Sequence, residues 1–130
     1  MISMNLPLNE VQKAIYDTVS QAVSCKVYDA VPPNATMPYV KIGEVRVLPS
    51  TNKTTFGVEI IETFHVWGQY AGFSEINGIM DGIVAAFDLP LAVEGYEVVL
   101  CGLNNAKTLT DPDGRTRHGV VDLRFVVYRK

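Results

Sequence analysis

The sequence predicts an α+β domain in which a mostly antiparallel β-sheet of about four or five strands carries two helices on one face. Two segments place apolar residues at three- and four-residue steps, as amphipathic helices do. Two pairs of long alternating segments flank turn-forming loops, as hairpins do. The expected order is α-β-β-β-α-β-β, which lacks the strict strand–helix alternation of a parallel sheet. The 130 residues are expected to form one domain, 1–130.

The first helix is predicted over residues 7–24. Pro7 suits a helix start because it has no N–H to leave unpaired, and Asn5 lies near enough to act as the N-cap. Polar residues cover the side opposite the apolar stripe, so one face is expected in the core. The stripe consists of Leu8, Val11, Ile15, Val19, Ala22 and Val23.

The second helix is predicted to follow Gly72 and to end before Pro90. Ser74 is the expected N-cap, and Phe73 precedes it as a hydrophobic staple. One face of this helix is apolar and is expected to pack on the sheet. That face consists of Ile76, Ile79, Met80, Ile83, Val84 and Phe87.

The remaining segments are predicted to be strands. A short strand ends at Pro32-Pro33, two long hairpins follow, and a further short strand is expected at 91–93. The loop 49–55 closes the first hairpin, and the turn 111–114 closes the second. The strand segments are Lys26–Val31, Tyr39–Leu48, Gly57–Gln69, Tyr96–Thr110 and His118–Arg129.

The faces of two strands differ in polarity. In the last strand one face is wholly apolar (Val121, Leu123, Phe125, Val127), while the other is mixed (Val120, Asp122, Arg124, Val126, Tyr128). In the middle strand one face is apolar except for Glu62 (Val58, Ile60, Glu62, Phe64, Val66). The other face is mixed (Ile61, Thr63, His65, Trp67). The mixed faces indicate either a contact with another chain or the ordinary apolar content of a protein surface.

Composition excludes several classes of protein. Eleven Lys and Arg against fourteen Asp and Glu give a net charge of −3, which argues against a nucleic-acid-binding module. No apolar run is long enough to cross a membrane, and Met1–Asn9 lacks the features of a signal peptide. Cys25 and Cys101 are interpreted as free thiols rather than as a disulfide.

No motif for catalysis or metal binding stands out. His65 and His118 lack partners at a ligand spacing, and Asp111-Pro112-Asp113-Gly114 fits a hairpin turn better than a calcium loop. No catalytic residue, cofactor or metal is expected, and the protein is interpreted as a non-enzyme. The alternative is a small ligand-binding or enzymatic domain with a pocket between sheet and helices, lined by Tyr39, Trp67 and Tyr96.

A small basic cluster offers a second functional interpretation. Arg115, Arg117 and His118 follow the second turn, and Arg46 and Lys53 belong to the first hairpin. The cluster is either a solvated pair of loops or a docking point for an acidic protein surface. Two arginines are too few for the phosphate contacts that DNA binding requires.

Four segments in order carry a resemblance to a known family. They are Leu8 through Tyr16; Val27-Tyr28-Asp29-Ala30-Val31-Pro32-Pro33 with Pro38-Tyr39-Val40 and Gly43-Glu44; Phe64-His65-Val66-Trp67-Gly68; and Asp111-Pro112-Asp113-Gly114 through His118-Gly119-Val120. Together they span nearly the whole chain. The chain resembles the tail completion (head-to-tail joining, tail terminator-like) proteins of long-tailed bacteriophages and prophages.

The resemblance implies a virion protein that ends the tail tube and joins it to the head connector, as a ring for which a hexamer is expected. The implied partners are further copies of the chain, the tail-tube protein and the head-connector protein, with no membrane and no sequence-specific nucleic acid. A related role as another connector or minor tail component stays open. The protein is expected to be assembled in the bacterial host cytoplasm and not secreted.

The two hairpin tips are the expected partner-binding segments, and they are expected to become ordered on binding. The residues expected to bind partners are Ser50, Thr51, Asn52, Lys53, Asp111, Asp113, Arg115 and Arg117.

Overall fold

The computed structural model describes residues 4–130, and it has the expected order of two helices and five strands. The first three residues of the N-terminal stretch interpreted above lie outside this range. The elements are α1 (Leu8–Ala22), β1 (Lys26–Tyr28), β2 (Tyr39–Pro49), β3 (Gly57–Gly68), α2 (Ser74–Ala85), β4 (Tyr96–Thr110) and β5 (Arg117–Arg129).

The five strands form one sheet in the order β1-β2-β3-β5-β4. The pairs β2/β3, β3/β5 and β5/β4 are antiparallel, whereas β1 pairs with β2 in parallel, so the sheet is mixed. Strand β3 is therefore central, and all twelve of its residues pair with β5. The α+β class and the element order are confirmed.

Both predicted helix caps are wrong. Pro7 occupies the N-cap position of α1 without a side-chain hydrogen bond, and the Asn5 amide instead donates to the hydroxyl of Tyr96, 91 positions along the chain. In α2 the N-cap is Phe73, and Ser74 is the first helical residue. The side chain of Phe73 packs against the core, so burial decides where this helix begins.

The core lies between the two helices and one face of the sheet. The buried residues of α1 are Val11, Ile15 and Val19, and those of α2 are Ile76, Met80 and Ile83. Against them pack the alternate, helix-facing residues of β3 and β5, as their apolar periodicity predicts.

The predicted short strand at 91–93 does not form. Val93 makes only an isolated antiparallel bridge with Tyr96, closed by a hydrogen bond from the Tyr96 N–H to the Val93 carbonyl. Leu91 and Val93 are nonetheless buried, at 7% and 6% exposure. Their apolar side chains therefore belong to the core, although the backbone that carries them leads into a turn and forms no strand.

Candidate interaction surface

No element of residues 4–130 covers the face of the sheet opposite the helices, which is called the uncovered face below. Along β3, residues facing the helices are buried, while Thr63, His65 and Trp67 on the other face are only half-buried. On β5, Val120 and Val126 share this uncovered face and are still only 9% and 8% exposed. The mixed second face predicted from the sequence is confirmed.

Four side chains at one end of the uncovered face form a connected cluster. The His118 ring stacks on Trp67 with centroids 3.7 Å apart and planes 12° apart. Nδ1 of His65 lies 2.8 Å from Nε2 of His118, and Nε2 of His65 lies 3.0 Å from Oε1 of Glu44. Sequence reasoning assigned both histidines structural roles, but it missed Glu44 and the contact between the rings.

The protonation of this cluster follows from its surroundings. Burial and the neighbouring His65 lower the pKa of His118, so its ring is held neutral to more acidic pH than a free histidine. The hydrogen bond to His65 lowers the pKa of Glu44. Two neutral rings fit these contacts when Nε2 of His118 donates to Nδ1 of His65 and Nε2 of His65 donates to Glu44.

The centre of the uncovered face holds two further polar contacts across β3 and β5. The Arg124 Nε donates to Oε1 of Glu59 at 2.6 Å, and the Thr63 hydroxyl donates to Oδ1 of Asp122 at 2.7 Å. These contacts satisfy the polar side chains that interrupt the apolar ones. The face therefore carries paired polar side chains among its apolar ones.

The tip of the β2/β3 hairpin is exposed and held by Asn52. Its side-chain oxygen accepts from the N–H groups of Thr54 and Thr55, at 2.9 and 2.7 Å. Lys53 and Thr51 at the same tip are exposed, and Ser50 is half-buried. The four residues predicted at this tip thus lie together on a solvent-facing turn.

The tip of the β4/β5 hairpin is organised by Asp113. Its carboxylate accepts from the N–H groups of Arg115 and Thr116 and from the Thr116 hydroxyl, which lies 2.6 Å away. These bonds lower the pKa of Asp113 to about 2. Gly114 adopts φ of 72°, a conformation that favours glycine. The hairpin-turn interpretation of this segment is confirmed.

The two tips lie at opposite ends of the sheet. Gly57, beside the first tip, pairs with Tyr128, whereas Gly68 pairs with Arg117 beside the second tip. The length of β3 separates them, which is about 36 Å at about 3.3 Å per residue. The predicted partner-binding residues therefore form two separate groups rather than one.

The basic cluster considered from the sequence does not form. Lys53 and Arg115 belong to the two opposite tips, and Arg46 lies opposite Ile61 in the first hairpin. The guanidinium carbon of Arg117 lies 5.1 Å from the centroid of the Phe73 ring, and its Nη1 donates to the Thr110 hydroxyl at 2.9 Å. Arg117 is therefore fixed by packing, whereas Arg115 is exposed.

The two lateral edges of the sheet are unlike each other. Among residues 4–130, no strand pairs with the outer edge of β4, where Val99, Leu100 and Leu103 are 51%, 42% and 57% exposed. On the other side β1 pairs only with residues 39–41 of β2, so within the described part of the chain the outer edge of 42–49 is free. Such edges are templates for pairing with another chain. Sequence reasoning missed this, because strand order is a long-range property.

The pocket of the enzymatic alternative does not form. Tyr39 and Trp67 are partners across β2 and β3 at one end of the sheet, whereas Tyr96 pairs with Arg129 at the other end. Cys25 and Cys101 are free, and burial raises the pKa of each, to about 11 for Cys101, which opposes thiolate chemistry. Within the described range, no group of three or more acidic, His or Cys side chains could hold a metal ion.

The helices of the described chain are too short or too polar to cross a membrane.

Comparison with known proteins identifies the family. A family model described as "Tail completion protein gp17" matches residues 11–128. The tail completion protein gp17 of Bacillus phage SPP1 is 37% identical over 91 residues, which cover 69% of this chain and 67% of that protein.

Solved structures share the fold. The structure of bacteriophage SPP1 gp17 superposes with a TM-score of 0.61 and 29% identity, over 93% of this chain and 91% of that chain. A chain from the virion of a native gene transfer agent particle gives a TM-score of 0.84 over 96% and 99% of the two chains, and at 22% identity it shows the fold alone. The chain therefore belongs to the tail completion protein gp17 family, and it is a structural protein of phage tail assembly rather than an enzyme.

Proposed function

We propose that this protein completes the phage tail tube and joins it to the head connector, and that it does so as a ring. The observation that carries this proposal is the position of the two hairpin tips at opposite ends of one sheet. A joining protein needs two separate surfaces for two different neighbours. The first tip (Ser50, Thr51, Asn52, Lys53) would contact one neighbour, and the second (Asp111, Asp113, Arg115, Arg117) the other.

The sheet gives these surfaces a fixed separation. Strand β3 pairs with β2 on one side and with β5 on the other, so the line between the tips runs through the middle of the sheet. Each tip is held by its own side-chain hydrogen bonds, centred on Asn52 and Asp113. A load applied at one end would therefore pass to the other end through paired backbone.

The two unlike sheet edges support a ring. A closed ring of identical subunits needs a heterologous contact, in which two different patches of one subunit meet the opposite patches of its neighbours. The free edge of β4 and the free part of β2 at 42–49 lie on opposite sides of the subunit. Pairing them between successive copies would leave both tips free for other proteins, and we expect six copies.

Assembly would take place in the bacterial host cytoplasm, with the protein retained in the virion and not secreted. Its neighbours there would be further copies of the chain, the tail-tube protein and the head-connector protein. The mixed uncovered face would be covered in the ring or by one of these neighbours.

The test is co-assembly with the tail-tube and head-connector proteins, followed by electron microscopy. Replacement of 51–54 by a Gly-Ser turn is expected to abolish contact with one partner, and replacement of 111–115 to abolish contact with the other. Each variant should still unfold in a single cooperative transition, and the second should melt at a lower temperature than the parent protein because it lacks the Asp113 bonds. The proposal fails if either variant still supports formation of infectious particles, or if the ring occupies another position in the tail.

A further inference from the structure

Glu62 is a carboxyl group placed where the sheet is otherwise apolar. It lies on the helix-facing side of β3 between Ile60 and Phe64, and it is 3% exposed. Its Oε2 has no hydrogen-bond partner among the described residues. A buried polar atom without a partner is unfavourable, so a native chain that keeps one calls for an explanation.

The unpartnered carboxyl borders a small cavity. The cavity has a volume of about 210 Å³. Its walls are Leu8, Asn9 and Gln12 of α1, Gly43 and Val45 of β2, and Ile60 of β3. The register of β2 against β3 shifts between Ile42 and Val45, and this irregularity lies at the cavity wall.

We propose that this cavity binds the ammonium group of a lysine from a neighbouring copy of the chain, with Glu62 as its counter-ion. The cavity borders the part of β2 whose outer edge is free, which is the side that the proposed ring brings against the next copy. The inference thus rests on the proposed function for the source of the lysine, but not for the site itself.

The shape of the site favours lysine over arginine. Oε2 is a fully buried carboxyl oxygen that a single ammonium N–H can satisfy, whereas a guanidinium makes its strongest contact with two accessible oxygens at once. The walls are apolar or carry neutral amides, which suit the hydrocarbon stem of lysine. An ammonium ion at the end of such a stem can donate to Oε2 and to the amide oxygens of Asn9 and Gln12.

The charges around Glu62 predict a proton release on binding. Burial raises the pKa of Glu62 to about 8; Glu44 of β2 acts in the same direction and Lys41 of β2 in the opposite one. The α1 wall contributes the neutral Asn9 and Gln12, and β5 places Leu123 opposite Glu62. An arriving ammonium ion stabilises the carboxylate, so the carboxyl proton passes to solvent as the ion pair forms.

The site is tested on the whole chain with n-butylammonium, measured by calorimetry in two buffers of different ionisation enthalpy. Binding at neutral pH is expected to release a proton, and Glu62→Gln is expected to weaken it by about tenfold or more. Uncharged n-butanol is the matched ligand control, and thermal unfolding shows that the variant is folded. Absence of binding, or equal binding to both proteins, overturns the site.

The source of the lysine is tested by ring formation. Loss of the ring in the Glu62→Gln variant supports a lysine from the neighbouring copy, provided that the control Glu94→Gln, at an exposed position, still forms rings. Rings that form equally well with Gln at position 62 overturn this assignment and leave the proposed function standing. Binding of n-butylammonium without any wild-type ring would instead overturn the ring and leave the site standing.

Discussion

Replacing Glu62 by Gln is expected to remove a component of the folding free energy that weakens as pH rises. The pKa of the Glu62 carboxyl is about 8 in the folded chain, against an ordinary value of 4.5. Between these two values the unfolded chain has lost the proton that the folded chain still holds. The free energy of unfolding therefore falls with rising pH, by about 1.4 kcal/mol per pH unit.

The size of this effect follows from the same two pKa values. Below about pH 4.5 the Glu62 carboxyl is protonated in both the folded and the unfolded chain, so it does not change the free energy of unfolding with pH. At neutral pH the loss reaches about 3 kcal/mol, and above about pH 8 it levels off near 5 kcal/mol. Since a domain has only about 5–15 kcal/mol of net stability, this loss is large.

The assay is urea unfolding of wild type and Glu62→Gln at a series of pH values. The difference between the two free energies of unfolding is the informative quantity, because the buried amide has its own cost, which does not depend on pH. His118, whose pKa is lowered, gives a slope of opposite sign below its ordinary value of 6.5. It is present in both proteins and cancels in the difference.

A matched control is Glu94→Gln, which also removes one carboxyl group but at an exposed position in the loop before β4. It is expected to leave the pH dependence as it is in wild type. Parallel curves for wild type and Glu62→Gln across the whole pH series would contradict this prediction, because they would mean that Glu62 ionises as easily in the folded chain as in the unfolded one.

Three further substitutions have defined outcomes. Gly57→Ala is expected to cost about 1–3 kcal/mol in urea unfolding, because its Cβ would lie 2.6 Å from a backbone oxygen, whereas Gly102→Ala has open space and should be near neutral. Asp113→Ala should lower the melting temperature at neutral pH, because the ionised carboxylate holds the turn. The difference in melting temperature from wild type should shrink as pH falls from about 3.8 towards about 2, where Asp113 becomes protonated in the folded chain. An unchanged difference in acid would contradict this. Arg117→Ala should cost about 0.5–1 kcal/mol through the lost Phe73 contact, whereas Arg115→Ala should leave stability unchanged and act only on partner binding; equal melting temperatures would contradict the packing role.

Helices, hairpins and strand faces were predictable because their signals are local. The apolar stripe of α1 repeats every three to four residues, and the alternation in β3 and β5 repeats every two, so each segment carries its own evidence. The turn at Asp113-Gly114 was predictable for the same reason, since Gly tolerates positive φ and Asp bonds to nearby N–H groups.

The cap errors show where local evidence fails. Asn5 is a good capping residue, but the Tyr96 hydroxyl offers it a partner from the far end of the sequence. Ser74 is a good capping residue too, but with Phe73 packed against the core the helix begins at Ser74, one position earlier than a capping role for Ser74 requires. In both cases a contact from another part of the chain outweighed a preference of about 1 kcal/mol.

The helices and strands of this protein, the apolar face of each and the family resemblance follow from its amino-acid order alone, because periodicity and motif order need no knowledge of contacts. The folded chain was needed to show that the hairpin tips lie at opposite ends of the sheet, that β4 is an edge strand, and that Glu62 borders a cavity. These features depend on which strand lies beside which, and strand pairing joins residues whose separation along the chain carries no local signal.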